Sequence, residues 1–184
     1  MLVGLLGQAK SGKDTIATYL KSNHNFHQLA FADKLKNVTK DLFGLSISQV
    51  YSQEGKMEMI PRYGKTPRTL LQEVGTALRS VHPSIWIDYV ISDYLSHYQT
   101  TNRHVVISDV RYINEVEAIR NANGLVVRVV REDYQSLQGA EAQHASETEQ
   151  LMIPDSDLDL VIRAKTGEID KLYTGIKEIF YLST

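Results

Sequence analysis

The stretch that decides the fold is Gly7-Gln8-Ala9-Lys10-Ser11-Gly12-Lys13-Asp14-Thr15, which directly follows the apolar run Leu2 to Leu6. Gly7, Gly12 and Lys13 have the spacing of a loop that wraps phosphates with backbone N–H groups, and Lys13 would reach the β- and γ-phosphates. The apolar run predicts a buried strand, and apolar residues recur at helical spacing after Thr15. A strand, a glycine loop and a helix in this order predict a nucleoside triphosphate site.

The residue after Lys13 departs from the general pattern of such loops. A Ser or Thr that meets Mg²⁺ is usual there, whereas this chain has Asp14, with Thr15 one position later. Asp14 can hold the ion directly or through water, or it can be an acid that is favoured in the first turn of a helix. The sequence leaves both interpretations open, and Asp14 and Thr15 are both candidate metal ligands.

The composition fits one domain with a substantial core, since 42% of the 184 residues are hydrophobic. The net charge of −2 gives no general basic character, so we expect no nucleic-acid partner. The chain has no cysteine, which excludes disulfides and cysteine-based zinc sites, and no apolar run approaches membrane-spanning length. We therefore expect a cytoplasmic protein with no membrane partner, and a homodimer is the commonest assembly for such a protein.

The apolar runs do not alternate with polar residues, and helical patterns separate them. Strands are predicted at residues 2–6, 26–31, 104–108, 125–130 and 159–162. This order predicts an α/β fold with a central five-stranded parallel sheet and helices on both faces. Ligands of such sheets lie at the carboxyl ends of the strands, where the Gly7 loop and Asp109 would be.

The region between the first and third long strands is helical. Asp33 is expected to cap a helix that ends near Gly44, residues 45–65 are less regular, and Thr66 and Pro67 are expected to begin the next helix. A further helix after Pro83 has four residues spaced for burial, of which the aromatic ones can instead stack on a base: Trp86, Tyr89, Val90 and Tyr94. The last helix has apolar residues at helical spacing from Ile169 to Phe180.

Six basic residues fall in the same region, at Lys34, Lys36, Arg62, Lys65, Arg68 and Arg79. They fit an insertion that holds a second anionic substrate, although single charges of this kind also occur on ordinary solvated surfaces. Arg68 stands out because it follows Thr66-Pro67 in the first turn of a helix. There its guanidinium and the helix dipole can act on the same anion.

An acid and a base leave the end of the predicted third strand at Asp109 and Arg111. Asp109 is a candidate Mg²⁺ ligand or a group that orients the partners of the acceptor phosphate, and Arg111 can clamp a phosphate with its guanidinium. The alternative is structural: Asp109 would cap a helix and Arg111 would pair with Glu115 four residues later.

A long polar span begins at Arg131 and reaches Glu147. In a phosphotransferase such a segment can bring an arginine over the phosphates and exclude water. His144 is a candidate base, but a structural role fits better because an acceptor phosphate is already ionised. Ser146 and Glu149 have the spacing of a capping box that begins a helix.

With these residues in hand, the chain resembles the bacteriophage deoxynucleoside monophosphate kinases, a branch of the P-loop kinases. The resemblance spans most of the chain and rests on the loop from Gly7 to Thr15 with its Gly-Lys-Asp-Thr ending, Phe31 to Lys36, Thr66 to Arg68, Leu71 to Thr76, Trp86 to Asp88, Asp109 to Arg111 with Asn114-Glu115, and His144 to Glu147.

The resemblance implies a single P-loop kinase domain over residues 1–184, with a monophosphate-binding helical insertion at 32–100 and a mobile lid at 131–150. It implies transfer of the γ-phosphoryl group of ATP to a deoxynucleoside monophosphate, with Mg²⁺, to supply DNA precursors during phage replication. ATP and the metal would be held by Gly7, Lys10, Ser11, Gly12, Lys13, Asp14 and Thr15.

The resemblance also assigns the second substrate. The monophosphate pocket would be lined by Asp33, Lys36, Arg68, Gln72, Trp86, Asp109 and Arg111, and Arg131 would be the phosphate clamp of the lid. Adenine would lie against the loop Arg163-Ala164-Lys165-Thr166. Catalysis would depend on Lys13, Arg111 and Arg131.

Three other classes remain open from the sequence. A small-molecule kinase that acts on dephospho-coenzyme A or phosphomevalonate would share the loop and the lid. A switch-type protein would hydrolyse ATP or GTP slowly and need no small acceptor, but the chain shows no second guanine-binding signature. A structural DNA-associated protein fits least, because the chain is not basic overall.

Overall fold

A computed structural model describes residues 1–133 and 145–182, with the side chains of all of these except 145–147. The chain divides into two compact units. The first unit comprises Met1–Ala30 and Val90–Thr184, and the second comprises Phe31–Tyr89.

Five strands form a parallel sheet in the first unit: β1 (Leu2–Leu6), β2 (His27–Leu29), β3 (Val105–Val110), β4 (Leu125–Arg131) and β5 (Leu160–Ala164). Their order across the sheet is β2-β3-β1-β4-β5, and all pairs are parallel. The central strand β1 is fully buried, as its continuous apolar sequence predicts. The predicted five-stranded parallel α/β sheet is therefore confirmed.

The α-helices are α1 (Lys13–His24), α2 (Phe31–Phe43), α3 (Ile47–Tyr51), α4 (Gln53–Met57), α5 (Pro67–Val81), α6 (Ile85–Asp93), α7 (Ile113–Asn121), α8 (Ala145–Met152), α9 (Ile169–Ile176) and α10 (Ile179–Leu182). A π-helix spans Tyr94–Gln99 and a 3₁₀ helix spans Asp155–Asp157. None of the helices within residues 1–133 and 145–182 is long and apolar enough to cross a membrane.

Helices cover both faces of the sheet. On one face, Val3 and Leu5 of β1 share a core cluster with Leu20 of α1 and Ile176 of α9. On the other face α7 packs so closely that a Cβ on Gly4 would lie 2.5 Å from the Ile119 Cδ1 atom. Successive residues of a strand point to opposite faces, so β1 is buried by helices from both sides.

His104 lies just before β3, at the opposite end of the sheet from the phosphate loop. Its carbonyl accepts a hydrogen bond from the His27 N–H at 2.8 Å, and its ring centroid lies 5.2 Å from that of Phe26. Burial lowers the pKa of His104, and the nearby Met1 ammonium lowers it further.

The second unit has its own small core, in which Leu45, Val50 and Leu70 are buried. Its helix boundaries follow local signals that the sequence showed. The α2 helix ends before Gly44, which has φ +64°, and the Thr66 hydroxyl accepts the Thr69 N–H at the start of α5, where Pro67 is the first helical residue. These two predictions are confirmed.

Several sequence predictions of local structure are wrong. The second strand ends at Leu29, and Phe31 instead begins α2 and is buried as a helical residue, which places Asp33 inside the first turn rather than at the cap. Tyr89 is 50% exposed, whereas Trp86, Val90 and Tyr94 are buried as expected.

The C-terminal helix also differs from its prediction, because it is divided into α9 and α10. Ile169, the first residue of α9, is 47% exposed.

Candidate nucleotide-binding site

The loop after β1 has a backbone that only glycine fits at two positions. Gly7 has φ +152°, and a Cβ there would lie 2.3 Å from the Val129 carbonyl oxygen and 2.9 Å from the Ser11 Oγ atom. Gly12 has φ +107°, and a Cβ there would lie 2.9 Å from the Leu172 Cδ1 atom. Glycine is therefore needed for backbone conformation at both positions, and for space at Gly7, where the neighbouring atom belongs to the backbone.

Lys13 is the first residue of α1, yet its side chain is 7% exposed because it turns back into the loop. Its Nζ atom donates to the carbonyl oxygens of Gly7 at 2.5 Å and Gln8 at 2.6 Å. The ammonium thus lies within the curve of the loop, at the positive end of a helix. A cation and a helix N-terminus in one place favour the binding of an anion, and they lie where the spacing predicts a phosphate site.

The loop borders a cavity of about 90 Å³. Its lining comes from the loop (Gly7, Gln8 and Ser11), from β4 (Arg128, Val129, Val130 and Arg131) and from α8 (Gln150 and Leu151). Arg131 therefore lies beside the phosphate loop, although about 120 residues separate the two in sequence.

Arg128 holds in place the end of α8, which forms one wall of this cavity. Its Nη2 atom donates to the carbonyl oxygens of Gln150 at 2.9 Å and Ile153 at 2.6 Å, and its guanidinium also pairs with Asp155, which Arg163 contacts at 2.5 Å. The side chain of Arg128 is 14% exposed. This partly buried guanidinium at the carboxyl end of α8 holds that helix against the sheet, and no sequence pattern predicted it.

The candidate metal ligands are oxygen donors beside the loop. Asp14 is exposed and Thr15 is partly buried, both in the first turn of α1, and Asp109 lies in β3 next to Val110, which pairs with Leu6 of β1. Mg²⁺ prefers oxygen ligands and often takes only one or two from the protein, so this donor set fits the ion. Within residues 1–133 and 145–182, no group of three or more His, Cys, Asp or Glu side chains is arranged to hold a metal.

The turn after β3 is fixed by Glu115, which is 1% exposed. Its Oε2 atom accepts the N–H groups of Arg111 at 2.8 Å and Tyr112 at 3.2 Å. Tyr112, and not Asp109, is the N-cap of α7, so the alternative in which Asp109 caps this helix is wrong. Glu115 binds the backbone of Arg111, which sets the direction in which the chain leaves β3.

The other predicted acceptor residues lie in the second unit. Lys36 pairs with Asp33 at 3.0 Å, and Arg68 and Gln72 are four residues apart on α5 and thus on one face. Trp86 is 3% exposed. Asp109 and Arg111 belong to the first unit.

Tyr51 and Gln53 of the second unit contact two predicted acceptor residues, and the sequence pattern predicted neither of them. The Lys36 Nζ atom lies 4.7 Å from the ring centroid of Tyr51, and the Arg68 Nη2 atom donates to the Gln53 Oε1 atom at 3.1 Å. The remaining basic residues also have contacts inside this unit: Lys65 pairs with Glu73 at 2.5 Å, and Lys34 lies over Tyr89.

The loop after β5, which contains Lys165, is tied to the end of β4. The Thr166 N–H donates to both carboxylate oxygens of Asp133, at 2.9 and 3.0 Å, and the Lys165 N–H donates to Glu168 at 2.8 Å. The hydrogen bonds from Thr166 lower the pKa of Asp133, and the bond from Lys165 lowers that of Glu168.

Most of the predicted lid, including His144, lies outside the described residues, as does the side chain of Ser146. The helix α8 begins at Ala145, so Ser146 is inside it and the predicted capping box is wrong. The Glu149 Oε1 atom instead accepts the Ile113 N–H at 3.0 Å, at the start of α7.

The sheet order, the glycine loop after the central strand and the lysine inside that loop define a P-loop protein of the α/β class. Solved structures share the fold. A dephospho-CoA kinase from Campylobacter jejuni is 19% identical with a TM-score of 0.55, and the match covers 99% of this chain and 96% of that one. A Thermus thermophilus protein is 17% identical, also with a TM-score of 0.55, and the match covers 100% of this chain and 98% of that one.

Sequence comparison identifies the family. The deoxynucleotide monophosphate kinase model matches residues 63–176. A protein of Acanthamoeba polyphaga mimivirus, named as a candidate deoxynucleotide monophosphate kinase, is 36% identical over 188 residues, which covers 96% of this chain and 94% of that protein. This chain belongs to the deoxynucleotide monophosphate kinase family, and it is a nucleotide kinase.

Proposed function

We propose that the protein transfers the γ-phosphoryl group of ATP to a deoxynucleoside 5′-monophosphate, which yields ADP and a deoxynucleoside diphosphate and supplies DNA precursors. The observation that carries the proposal is the Lys13 ammonium held inside a two-glycine loop, in a chain of this kinase family. An oxygen of the acceptor phosphate attacks the γ-phosphorus while the bond from that phosphorus to the β-phosphate oxygen breaks.

This reaction needs positioning and charge stabilisation more than acid–base catalysis. The acceptor oxygen is already ionised at neutral pH, so no strong base is required and no covalent intermediate is expected. Lys13 and the loop residues Lys10, Ser11 and Gly12 would hold the β- and γ-phosphates of ATP. Arg131, which lines the cavity beside the loop, would neutralise charge on the transferred group, and Arg111 would do so from the end of β3.

Asp14, Thr15 and Asp109 would hold Mg²⁺. The ion would supply positive charge at the β- and γ-phosphate oxygens. These side chains have the required donor chemistry, and each lies on or beside the phosphate loop.

Acceptor binding is assigned to Asp33, Lys36, Arg68, Gln72 and Trp86 of the second unit, together with Asp109 and Arg111. Residues 32–100 would form the monophosphate-binding insertion and residues 131–150 the lid. Adenine of ATP would lie against the loop after β5 that contains Lys165. The fixed backbone of this loop supports the assignment, because a rigid loop can form a defined wall for a base.

The test is an ADP-release assay with ATP and Mg²⁺ against the four deoxynucleoside monophosphates, their ribose counterparts, dephospho-coenzyme A and phosphomevalonate. We expect rapid release with one or more deoxynucleotides. Release only with a non-nucleotide acceptor, or slow release that ignores every acceptor, would contradict the proposal.

The Lys13→Met variant tests the role of the loop. We expect kcat to fall by about 10²- to 10³-fold, because the variant removes a preorganised charge from the transferred phosphate. Lys21→Met is the matched control, since Lys21 lies in the last turn of the same helix and is exposed. If the turnover of Lys13→Met stays within a few-fold of that of the control, the role assigned to Lys13 in phosphoryl transfer is wrong.

A further inference from the structure

A short segment of the second unit contacts two cations from different helices. The segment is Tyr51-Ser52-Gln53, which consists of the last residue of α3, the linking Ser52 and the first residue of α4. The Lys36 ammonium of α2 lies 4.7 Å from the centroid of the Tyr51 ring, and the Arg68 guanidinium of α5 donates to the Gln53 amide oxygen at 3.1 Å. The Cα atoms of residues 51 and 53 are at most about 7 Å apart, so the same short segment orients both cations.

The segment itself is held firmly. Ser52 ends α3 and begins α4, and its hydroxyl donates to the Ser48 carbonyl and accepts the Gly55 N–H, both at 2.9 Å. A Cβ on Gly55 would lie 2.3 Å from the Ser48 oxygen, so α4 folds back tightly over α3. Val50, next to Tyr51, is fully buried in the core of the unit.

The two holding groups are uncharged, and this matters for their role. The face of an aromatic ring attracts an ammonium through its quadrupole, and an amide oxygen takes one of the five N–H donors of a guanidinium. Neither the ring nor the amide carries a negative charge of its own, so neither adds to the charge that the Asp33 carboxylate, 3.0 Å from the Lys36 Nζ atom, already places beside Lys36. A carboxylate in the same place would hold the cation more strongly, but it would compete with a phosphate for it.

Tyr51 and Gln53 are also reachable from solvent. Tyr51 is 46% exposed and Gln53 is exposed, whereas the Lys36 side chain is 20% exposed. The ring and the amide thus lie on the surface of the second unit, where an anion in solution can reach them. Asp33, the charged partner of Lys36, lies at 3.0 Å from its Nζ atom and is half-exposed.

We propose that Tyr51 and Gln53 are positioning residues that aim Lys36 and Arg68 at the 5′-phosphate of the acceptor nucleotide. The inference rests on the proposed function and adds two residues that set the affinity for the acceptor. They act through the cations, so they determine the KM for the monophosphate and leave the KM for ATP unchanged.

The Tyr51 arm of the test compares three variants by steady-state kinetics and thermal unfolding, with the best wild-type deoxynucleotide as acceptor. Tyr51→Leu removes the ring, and we expect the acceptor KM to rise about three- to tenfold at unchanged ATP KM. Tyr51→Phe keeps the ring face and should retain the wild-type KM. Tyr181→Leu is the control, because Tyr181 is 81% exposed on α10, a helix that the proposal does not use.

The Gln53 arm separates positioning from stabilisation. Gln53→Glu would hold Arg68 at least as firmly, so the unfolding temperature should stay the same or rise. The new carboxylate would nevertheless offset the charge of Arg68, and the acceptor KM should rise about tenfold. Asn37→Asp adds the same charge to an exposed position of α2 and should leave the acceptor KM unchanged.

The outcomes distinguish a failure of the proposed function from a failure of the roles given to Tyr51 and Gln53. If the wild type phosphorylates no deoxynucleotide, the proposed function fails and this inference fails with it. If the wild type is active while Tyr51→Leu and Gln53→Glu keep the wild-type acceptor KM, the inference alone is overturned. A rise in acceptor KM that Tyr181→Leu and Asn37→Asp produce equally would also overturn it.

Discussion

Replacing Gly7 by alanine should damage both the stability and the activity of this kinase. The added Cβ would lie 2.3 Å from the Val129 carbonyl oxygen, about 1 Å inside ordinary contact distance. That oxygen belongs to the backbone of β4, which pairs with β1, so it cannot rotate away. The φ of +152° is also a conformation that alanine rarely adopts.

The strained backbone conformation and the steric overlap together determine how much stability the Gly7→Ala variant loses. A strained backbone conformation costs about 1–3 kcal/mol, and forced overlap in a packed region costs about 1–3 kcal/mol more. Gly7→Ala should therefore lower the free energy of unfolding by about 2–6 kcal/mol, a large part of the roughly 5–15 kcal/mol of an ordinary domain. Gly44→Ala is the matched control: Gly44 has φ +64° with no atom within 4 Å of its Cβ position, so the cost should be about 1–2 kcal/mol.

Urea unfolding followed by far-UV circular dichroism measures the stability change, and ADP release measures the function. We expect Gly7→Ala to lose most of its kcat/KM for ATP, because the loop must move to relieve the overlap, while Gly44→Ala stays close to wild type. The reasoning is refuted if the two variants lose the same stability, within 1 kcal/mol, and keep the same kcat/KM.

Three further predictions concern contacts of the first unit. Hydrogen bonds from Thr166 lower the pKa of Asp133, so this contact stabilises the fold above about pH 4 and weakens in acid. The Asp133→Asn substitution should therefore lower the urea midpoint more at pH 7 than at pH 3. An equal decrease of the midpoint at both pH values would contradict this. Burial lowers the pKa of His104, so the contribution of its neutral ring to the free energy of unfolding is complete above about pH 6.5 and is lost as the pH falls. The His104→Gln variant should therefore show a smaller fall in urea midpoint between pH 7 and pH 5 than the wild type. An equal fall in both proteins would argue against this role. The Arg128→Lys substitution removes the guanidinium that holds the end of α8 and pairs with Asp155. The KM for ATP should therefore rise severalfold, while the KM for the acceptor stays unchanged. Equal rises in both KM values would count against a role of Arg128 in shaping the ATP side of the site.

The phosphate loop was predictable because its requirements are local. Gly7 and Gly12 are needed for the backbone at their own positions, and the strand before them is a continuous apolar run. The sheet followed from the same kind of pattern. The end of the second strand was misplaced because Phe26 and Phe31 flank a short mixed segment, which fits a strand as well as a strand followed by a helix.

The missed parts of the site depend on contacts between residues that are distant in sequence. Tyr51 and Gln53 lie in a stretch without clear periodicity, and each contacts a cation 15 residues away, Lys36 or Arg68. Glu115 illustrates a different difficulty. Its spacing from Arg111 fits a side-chain pair, but the structure shows that it binds the backbone N–H group of Arg111, and sequence spacing is the same for both interactions.

The position of β1 at the centre of the sheet has a consequence for synthesis. The strand just before the phosphate loop pairs with β3 and β4, whose residues begin about 100 positions later. On a translating ribosome, the first strand therefore has to wait until well over half of the chain has been made before either neighbour can join it. Closing contacts across so long a separation is slow, so the ability to bind ATP should be acquired late in the life of the nascent chain.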